Sequence, residues 1–345
     1  MPLMVVMTPS AASSTSFDEP MSPIVKASSS SLLSFPLTLE DSSPPPRLSA
    51  FMGLIYVAMS AVCFSLVSTC VKYATFYMTS MEFIFWRSIV ALAMNYIAIR
   101  KRGESLTIEP TNHWRLFLQC LFGFASVAFG FYAFSQMVLA DASVIIFTSP
   151  VVTFFLGACL LKEKVDSVSF SCAVISLAGL VFVLRPTFLF GSTSGAMDAA
   201  GVSTWVAMVC AIAAAVSQAL LYTCVRTLQG IHFLAIVHYF MLFSIFVSGL
   251  WIVFSQKHIF VDFTFWLWMV ILASGLWTFL GQITLTKGFQ LEKAGVASVM
   301  RYLDVVCVFI WDSLLLHERV SGTTIFGAVI ICSCAGVIAL RKASE

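Results

Sequence analysis

A chain of 345 residues that is 59% hydrophobic and only 10% charged, with a mean hydropathy of +0.95, does not fit an ordinary soluble domain. It reads as a polytopic membrane protein, with the lipid bilayer as its solvent. The formal net charge of +2 is small, and the basic residues sit at span ends and do not gather in one patch, which argues against nucleic acid as a partner.

Residues 1–50 are rich in Ser and Pro, with runs at Ser28–Ser31 and Pro44–Pro46, and are expected to form a disordered tail. The opening MPLMVVM is too short for a signal-peptide core and has no basic region before it, while Asp18 and Glu19 argue against a transit peptide. The first span is therefore expected to direct insertion.

From Phe51 onward, apolar blocks of about 20 residues alternate with short polar breaks, the length needed at 1.5 Å per residue to cross a core of roughly 30 Å. Ten spans are predicted, over 51–71, 79–99, 116–138, 143–161, 168–185, 205–225, 234–254, 265–286, 294–315 and 321–340. Between the third and fourth only Ala140–Ala142 intervenes, and Asp141 supplies the one charge. Thirteen of the 19 Lys and Arg residues fall on the side that holds the N-terminus, against Lys72, Arg185, Lys257 and Arg319 on the other, with Arg87 and Arg301 inside spans. Cytoplasmic loops carry the basic excess, so both termini are expected in the cytoplasm; plasma membrane and endomembrane stay equal alternatives. All ten cysteines lie in apolar segments and read as small buried side chains. Cys332 and Cys334 would point about 200° apart on a helix, so they make no metal pair.

The two halves repeat. Thr69-Cys70-Val71-Lys72 matches Thr223-Cys224-Val225-Arg226 at an offset of 154, and Leu160-Leu161-Lys162-Glu163-Lys164-Val165 matches Leu315-Leu316-His317-Glu318-Arg319-Val320 at 155. Two matches at nearly one offset argue for a duplicated five-span unit, 51–185 and 205–341, joined by a linker at 186–204. An odd number of spans inverts the second copy, and inverted repeats are a signature of secondary transporters whose solute site lies where the repeats meet.

This unit, with Pro150 in its fourth span, the Leu-Leu-Lys-Glu-Lys-Val run and a fifth span ending at Arg185-Pro186, resembles the EamA repeat of the drug/metabolite transporter superfamily. The second half, with Ala297-Ser298, Arg301-Tyr302-Leu303-Asp304 and Trp311, is similar to the G branch of solute carrier family 35. The resemblance covers 51 to about 341 and implies an all-α fold of ten transmembrane helices in two inverted five-helix EamA repeats, transporting small metabolites. Val305 stands where Pro150 would align, and Met241 where Arg87 would.

Charged residues inside a span cost roughly 2.5–3.5 kcal/mol each on insertion scales and mark solute or ion paths. Arg301 and Asp304, three apart in the ninth span, share a helical face about 60° wide and are placed as a pair that either lines the site or only neutralises itself; Tyr302 between them joins the candidates. Asp312 lies near the span end, where interfacial solvation is expected. Arg87 lies about 12 Å into the second span with no acidic neighbour three or four residues away, so its partner must be another helix or a solute carboxylate or phosphate. Gln218 with Tyr222, and Thr278 with Gln282, are four apart and either line a cavity or tie helices together. His238 and Glu82 are the candidates for coupling or gating, with Glu82 close enough to the interface to be solvated. Pro150 joins them as a gating candidate and is expected to bend or loosen the fourth helix. Trp251, Trp266 and Trp268 suit an interfacial belt.

The function read from these features is a secondary transporter that moves a small polar metabolite by alternating access, an anionic or zwitterionic one being favoured by the two arginines. The alternative is a non-transporting interaction or regulatory protein that reuses the fold. An enzyme is not expected: there is no HExxH, the Gly191–Gly195 stretch carries a central Thr193 in place of a nucleophilic serine, and the five histidines have no paired spacing. No GxxxxGK followed by Ser or Thr occurs, so neither a nucleotide cofactor nor a metal is expected. The partners implied are a small-molecule solute and lipid, with homodimerisation left open.

Overall fold

A computed structural model describes residues 47–186, 189, 202–256, 264–315 and 322–344. The expected tail, up to residue 46, and most of the 186–204 linker lie outside these residues. Twelve α-helices follow in order: α1 (Arg47–Ala74), α2 (Ser80–Arg102), α3 (Pro110–Gln136), α4 (Leu139–Ile146), α5 (Ser149–Leu160), α6 (Ser167–Leu184), α7 (Val202–Thr227), α8 (Phe233–Trp251), α9 (Phe265–Leu291), α10 (Ala294–Val299), α11 (Leu303–Leu315) and α12 (Gly322–Ser344). A π-turn, Ile252–Gln256, extends α8, and a 3-10 turn, Met300–Tyr302, joins α10 to α11. Among the described residues there is no strand.

These elements make ten spans long and apolar enough to cross a membrane, as the sequence predicts. Their ends carry local stop and start signals. The Thr79 side chain accepts the Glu82 N–H at 3.4 Å to cap α2, and Gly103, at φ +67°, closes it in the left-handed conformation that glycine adopts without cost. Pro110 opens α3, where its missing N–H is not needed. The third span thus begins six residues earlier than 116, and the third and fourth spans part at Met137 and Val138, leaving Asp141 buried in the first turn of α4.

Packing shows the duplication directly. Span 1 (α1) lies along span 8 (α9), and span 6 (α7) lies along span 3 (α3); moving each helix on by five spans turns the first pair into the second. Spans 2 and 7, 4 and 9, and 5 and 10 pair with their own counterparts. The repeats therefore interleave, and the core is built across their boundary. Spans 5 and 10 meet most closely at Gly179 and Gly327, where a Cβ on Gly179 would lie 3.0 Å from the Gly327 carbonyl. Such small-residue contacts let backbones approach where lipid offers no hydrophobic drive.

The fourth and ninth spans are each broken at the same place in their repeat. The fourth breaks at Phe147 and Thr148, and Pro150 sits in the first turn of α5. So the proline starts a new helix; it does not bend a continuous one. The ninth breaks at Met300–Tyr302 without a proline. Phe147 and Tyr302 are equivalent at the 155-residue offset, and they touch: the rings stack at 6.4 Å and the Tyr302 hydroxyl donates to the Phe147 carbonyl at 3.0 Å. A bond across the two breaks thus satisfies a carbonyl that the interrupted helix leaves over.

Trp251 and Trp266 are exposed, as a belt requires. Trp268 instead packs edge-on against Trp86 with centroids 5.8 Å apart. All ten cysteines are free, and Cys159 and Cys332 are exposed, not buried as expected; both sit in spans, on faces that lipid covers.

Candidate functional site

Where the repeats interleave they enclose a cavity of about 190 Å³. Its wall comes from α1, α2, α3, α7, α8, α9 and the turn that breaks the ninth span, so both repeats contribute. Of the sequence candidates, Arg87, Gln218, Tyr222, Thr278, Gln282 and Arg301 all line it.

Arg301 reaches the cavity because the 3-10 turn presents it there, and three contacts hold it. Its Nη2 donates to Asp304 at 2.9 Å, its Nη1 lies 3.4 Å from the Ser60 hydroxyl, and its guanidinium stands 5.0 Å over the Phe64 ring. The helix break therefore does not separate the pair that the i,i+3 spacing suggested. Asp304 stands behind Arg301 and does not line the cavity. Tyr302 does not line it either: it is fully buried, facing the break in span 4.

Arg87 is held differently. Gly275 on α9 lets α2 come close, since a Cβ there would meet Val90 at 2.5 Å and the Arg87 carbonyl at 3.2 Å. The guanidinium stands 5.9 Å from the Phe83 ring. Its Nε has no hydrogen-bond partner, and among the described residues Arg87 makes no ion pair. On the same α9, Thr278 and Gln282 present a hydroxyl and an amide one turn apart to the cavity, and the Thr278 Oγ1 is buried without a partner. Gln218 donates to the Tyr222 hydroxyl at 2.7 Å and accepts from Ser149 at 3.4 Å, while the Tyr222 ring stacks on Phe289 at 4.3 Å. These two side chains both line the cavity and tie α7 to its neighbours.

Neither coupling candidate faces this space. His238 is half-buried, edge-on to Tyr239, with its Nδ1 enclosed and unpartnered. Glu82 is fully buried and not solvated, and neither carboxylate oxygen has a hydrogen-bond partner among the described residues. Distance along α2 puts it near the bilayer edge, but neighbouring helices cover it. The Asp312 side chain lies outside the description.

Other functional candidates were not visible in the pattern. Ser88, Ser126, Ser244, Phe124 and Phe240 also line the cavity, and nothing in their spacing set them apart from core residues. Glu163 and Arg226 did carry a signal, because both belong to the repeated segments. They form an ion pair of 3.0 Å at the Lys- and Arg-rich end of the bundle. Glu163 also accepts the Ala294 N–H at 3.2 Å, and Arg226 donates to the Gln290 carbonyl at 2.6 Å. Lys162, at φ +52°, turns the chain so that the Glu163 N–H returns to the Gly157 carbonyl at 3.1 Å. At this end the halves of the broken spans pack tightly, and a Cβ on Gly295 would meet the Phe154 ring at 2.5 Å. At the other end, α4 and α11 pack more sparsely on each other than α5 and α10 do.

A larger groove, about 780 Å³, runs between α11 and α12, but it is lined by Val306, Phe309, Ile325 and Val329 with a few hydroxyls. Its lining carries no charged side chain.

The EamA-like transporter family matches residues 51–185 and again residues 205–340. Solute carrier family 35 member G1 of Homo sapiens is 30% identical over 305 residues, covering 84% of this chain and 80% of the relative. Pseudopaline exporter CntI of Pseudomonas aeruginosa is 26% identical over 292 residues, covering 84% of this chain and 97% of the relative. A probable transport protein of Saccharomyces cerevisiae is 31% identical over 248 residues, covering 68% and 70%. One solved crystal structure superposes with a TM-score of 0.72 at 18% identity, covering 84% of this chain and 98% of the other, a likeness of fold.

Proposed function

The chain belongs to the EamA-like transporter family, and from that premise we propose that it is a secondary carrier which moves a small anionic metabolite by alternating access. The observation that carries this reading is Arg87, a guanidinium within the membrane that faces a cavity and makes no ion pair among the described residues. An isolated cation at that depth is costly, and a carboxylate or phosphate on the solute matches its fork of donors. The Thr278 hydroxyl and the Gln282 amide, which line the same cavity, supply further hydrogen bonds.

Alternating access is supported by the broken spans. Their halves are tied around Glu163, Arg226 and Ala294 at one end, the kind of end contact that inverted repeats make and break by rocking about a midplane site. We place the end that carries Glu163 and Arg226 in the cytoplasm, with both termini, because the basic residues concentrate there. Tyr302 is then a positioning residue that ties the two breaks, and Pro150 a starter of the movable lower half-helix.

The test is uptake into vesicles reconstituted with the full chain, across small carboxylates, phosphates, nucleotide sugars and amines. We expect an anion to be taken up and Arg87→Gln to lower its uptake about 100-fold or more, as loss of a charge-assisted pair implies, with protein abundance unchanged. Uptake that Arg87→Gln leaves intact would sink the reading. No movement of any solute, with capture of a protein partner instead, would favour a regulatory protein that reuses the fold.

A further inference from the structure

The charges around the cavity set how much negative charge a solute brings. Two guanidiniums, Arg87 and Arg301, line the cavity. Asp304 lies 2.9 Å from Arg301, and both are largely buried, so this pair contributes close to zero net charge. Glu82 and His238 do not line the cavity, and Glu82 makes no ion pair among the described residues. What remains is a single positive charge, on Arg87.

We propose that Asp304, by cancelling Arg301, tunes the site to solutes that carry one net negative charge. This rests on the anion reading above. In a region of low dielectric an unmatched unit charge is heavily penalised. A monoanion balances Arg87, a neutral solute leaves it bare, and a dianion brings one charge too many. Asp304 touches Arg301 and not the cavity, so it acts on specificity through that partner. The repeat underlines the choice: Met241, where the second copy aligns with Arg87, lines the same cavity without charge, so the site has one such cation where the symmetry allows two.

The experiment compares succinate with 4-hydroxybutyrate, a dianion and a monoanion of similar size, in vesicles that hold the full chain. The readout is the ratio of their kcat/KM for uptake, paired with binding to the purified protein. The wild type should prefer the monoanion. Asp304→Asn unmasks Arg301 and should move the ratio toward the dianion by about tenfold or more. Arg301→Gln combined with Asp304→Asn removes both charges of the pair and should bring the ratio back to within about threefold of the wild type. Should D304N fail to accumulate, Met241→Lys adds a cation directly and should give the same shift.

An unchanged ratio in D304N, or a double variant that behaves like D304N, would overturn the inference while leaving an anion carrier standing. An unshifted ratio in M241K would overturn it too. A wild type that neither binds nor moves either acid, while moving cations or neutral solutes, would overturn the anion reading and this inference with it.

Discussion

Arg87 and Arg301 face one cavity from opposite repeats, yet they are supported in opposite ways. Arg301 has a carboxylate at 2.9 Å, a hydroxyl at 3.4 Å and an aromatic face at 5.0 Å. Arg87 has an aromatic ring at 5.9 Å and no ion pair among the described residues, while the Nε of both arginines is unpartnered. Within a membrane the same side chain is either part of the scaffold or an incomplete site, and the difference lies in whether the chain supplies its counter-ion. The alignment of the repeats points the same way, since the first copy keeps Thr148, Ser149 and Pro150 where the second has gained Arg301 and Asp304, and the second has Met241 where the first has Arg87.

The largest expected effect separates the two arginines by stability. Asp304→Ala should cost about 3–5 kcal/mol, because it leaves a buried guanidinium unpaired. Arg87→Gln should stay within about 1 kcal/mol of the wild type or stabilise, since no in-chain pair is broken. Thermal unfolding of the purified variants reads both, and an equal loss at Arg87 would reveal a hidden partner and break the contrast.

Next in size is the bond at the two helix breaks. Tyr302→Phe should cost about 1–3 kcal/mol by leaving the Phe147 carbonyl buried and unpartnered. An unchanged unfolding temperature would mean that the breaks are not tied through this hydroxyl.

Smaller again is the closed end. The Glu163–Arg226 pair is partly exposed, so Glu163→Gln should cost about 1 kcal/mol. It should also raise maleimide labelling of a cysteine placed at Ala158, beside the packed half-helices. Reversing both charges, Glu163→Arg with Arg226→Glu, should restore protection; labelling that stays as low in E163Q as in the wild type would show that this pair does not hold the end shut.

The smallest effect lies at the surface, outside the spans. The Ser169 hydroxyl at 2.7 Å, with its N–H and Arg341, holds the Asp166 carboxyl below the ordinary carboxylate value. A depressed folded pKa gives stability that is full above the ordinary value, about 3.9, and that is lost as pH falls through the folded one. Asp166→Asn should therefore flatten the acid limb of a stability profile slightly and change nothing near neutrality. A neutral-pH loss comparable with that of Asp304→Ala would contradict this ordering.

The spans and their duplication were legible because a bilayer fixes segment length and because Thr69–Lys72 and Leu160–Val165 recur at nearly constant offset. Six lining residues were legible for a related reason: polar groups at Arg87, Gln218, Tyr222, Thr278, Gln282 and Arg301 stand out in apolar surroundings. The break in the ninth span was not, since no proline or glycine marks Met300–Tyr302 and the turn is held by tertiary contacts to Phe147 and Ser60. Glu82 looked interfacial along its helix, but which faces neighbouring helices cover cannot be read from one helix. Glu163 marked the repeat without revealing its role, because its partners Arg226 and Ala294 lie far along the chain.

The central claim is that the counter-ion of Arg87 is the transported solute, and site-resolved arginine modification tests it most directly. Purified protein is treated with phenylglyoxal, with and without a saturating transported anion, and the modified positions are mapped by peptide mass. Arg87 should react in the empty carrier and be protected when the anion is present. Arg87 that is modified equally in both conditions would contradict it.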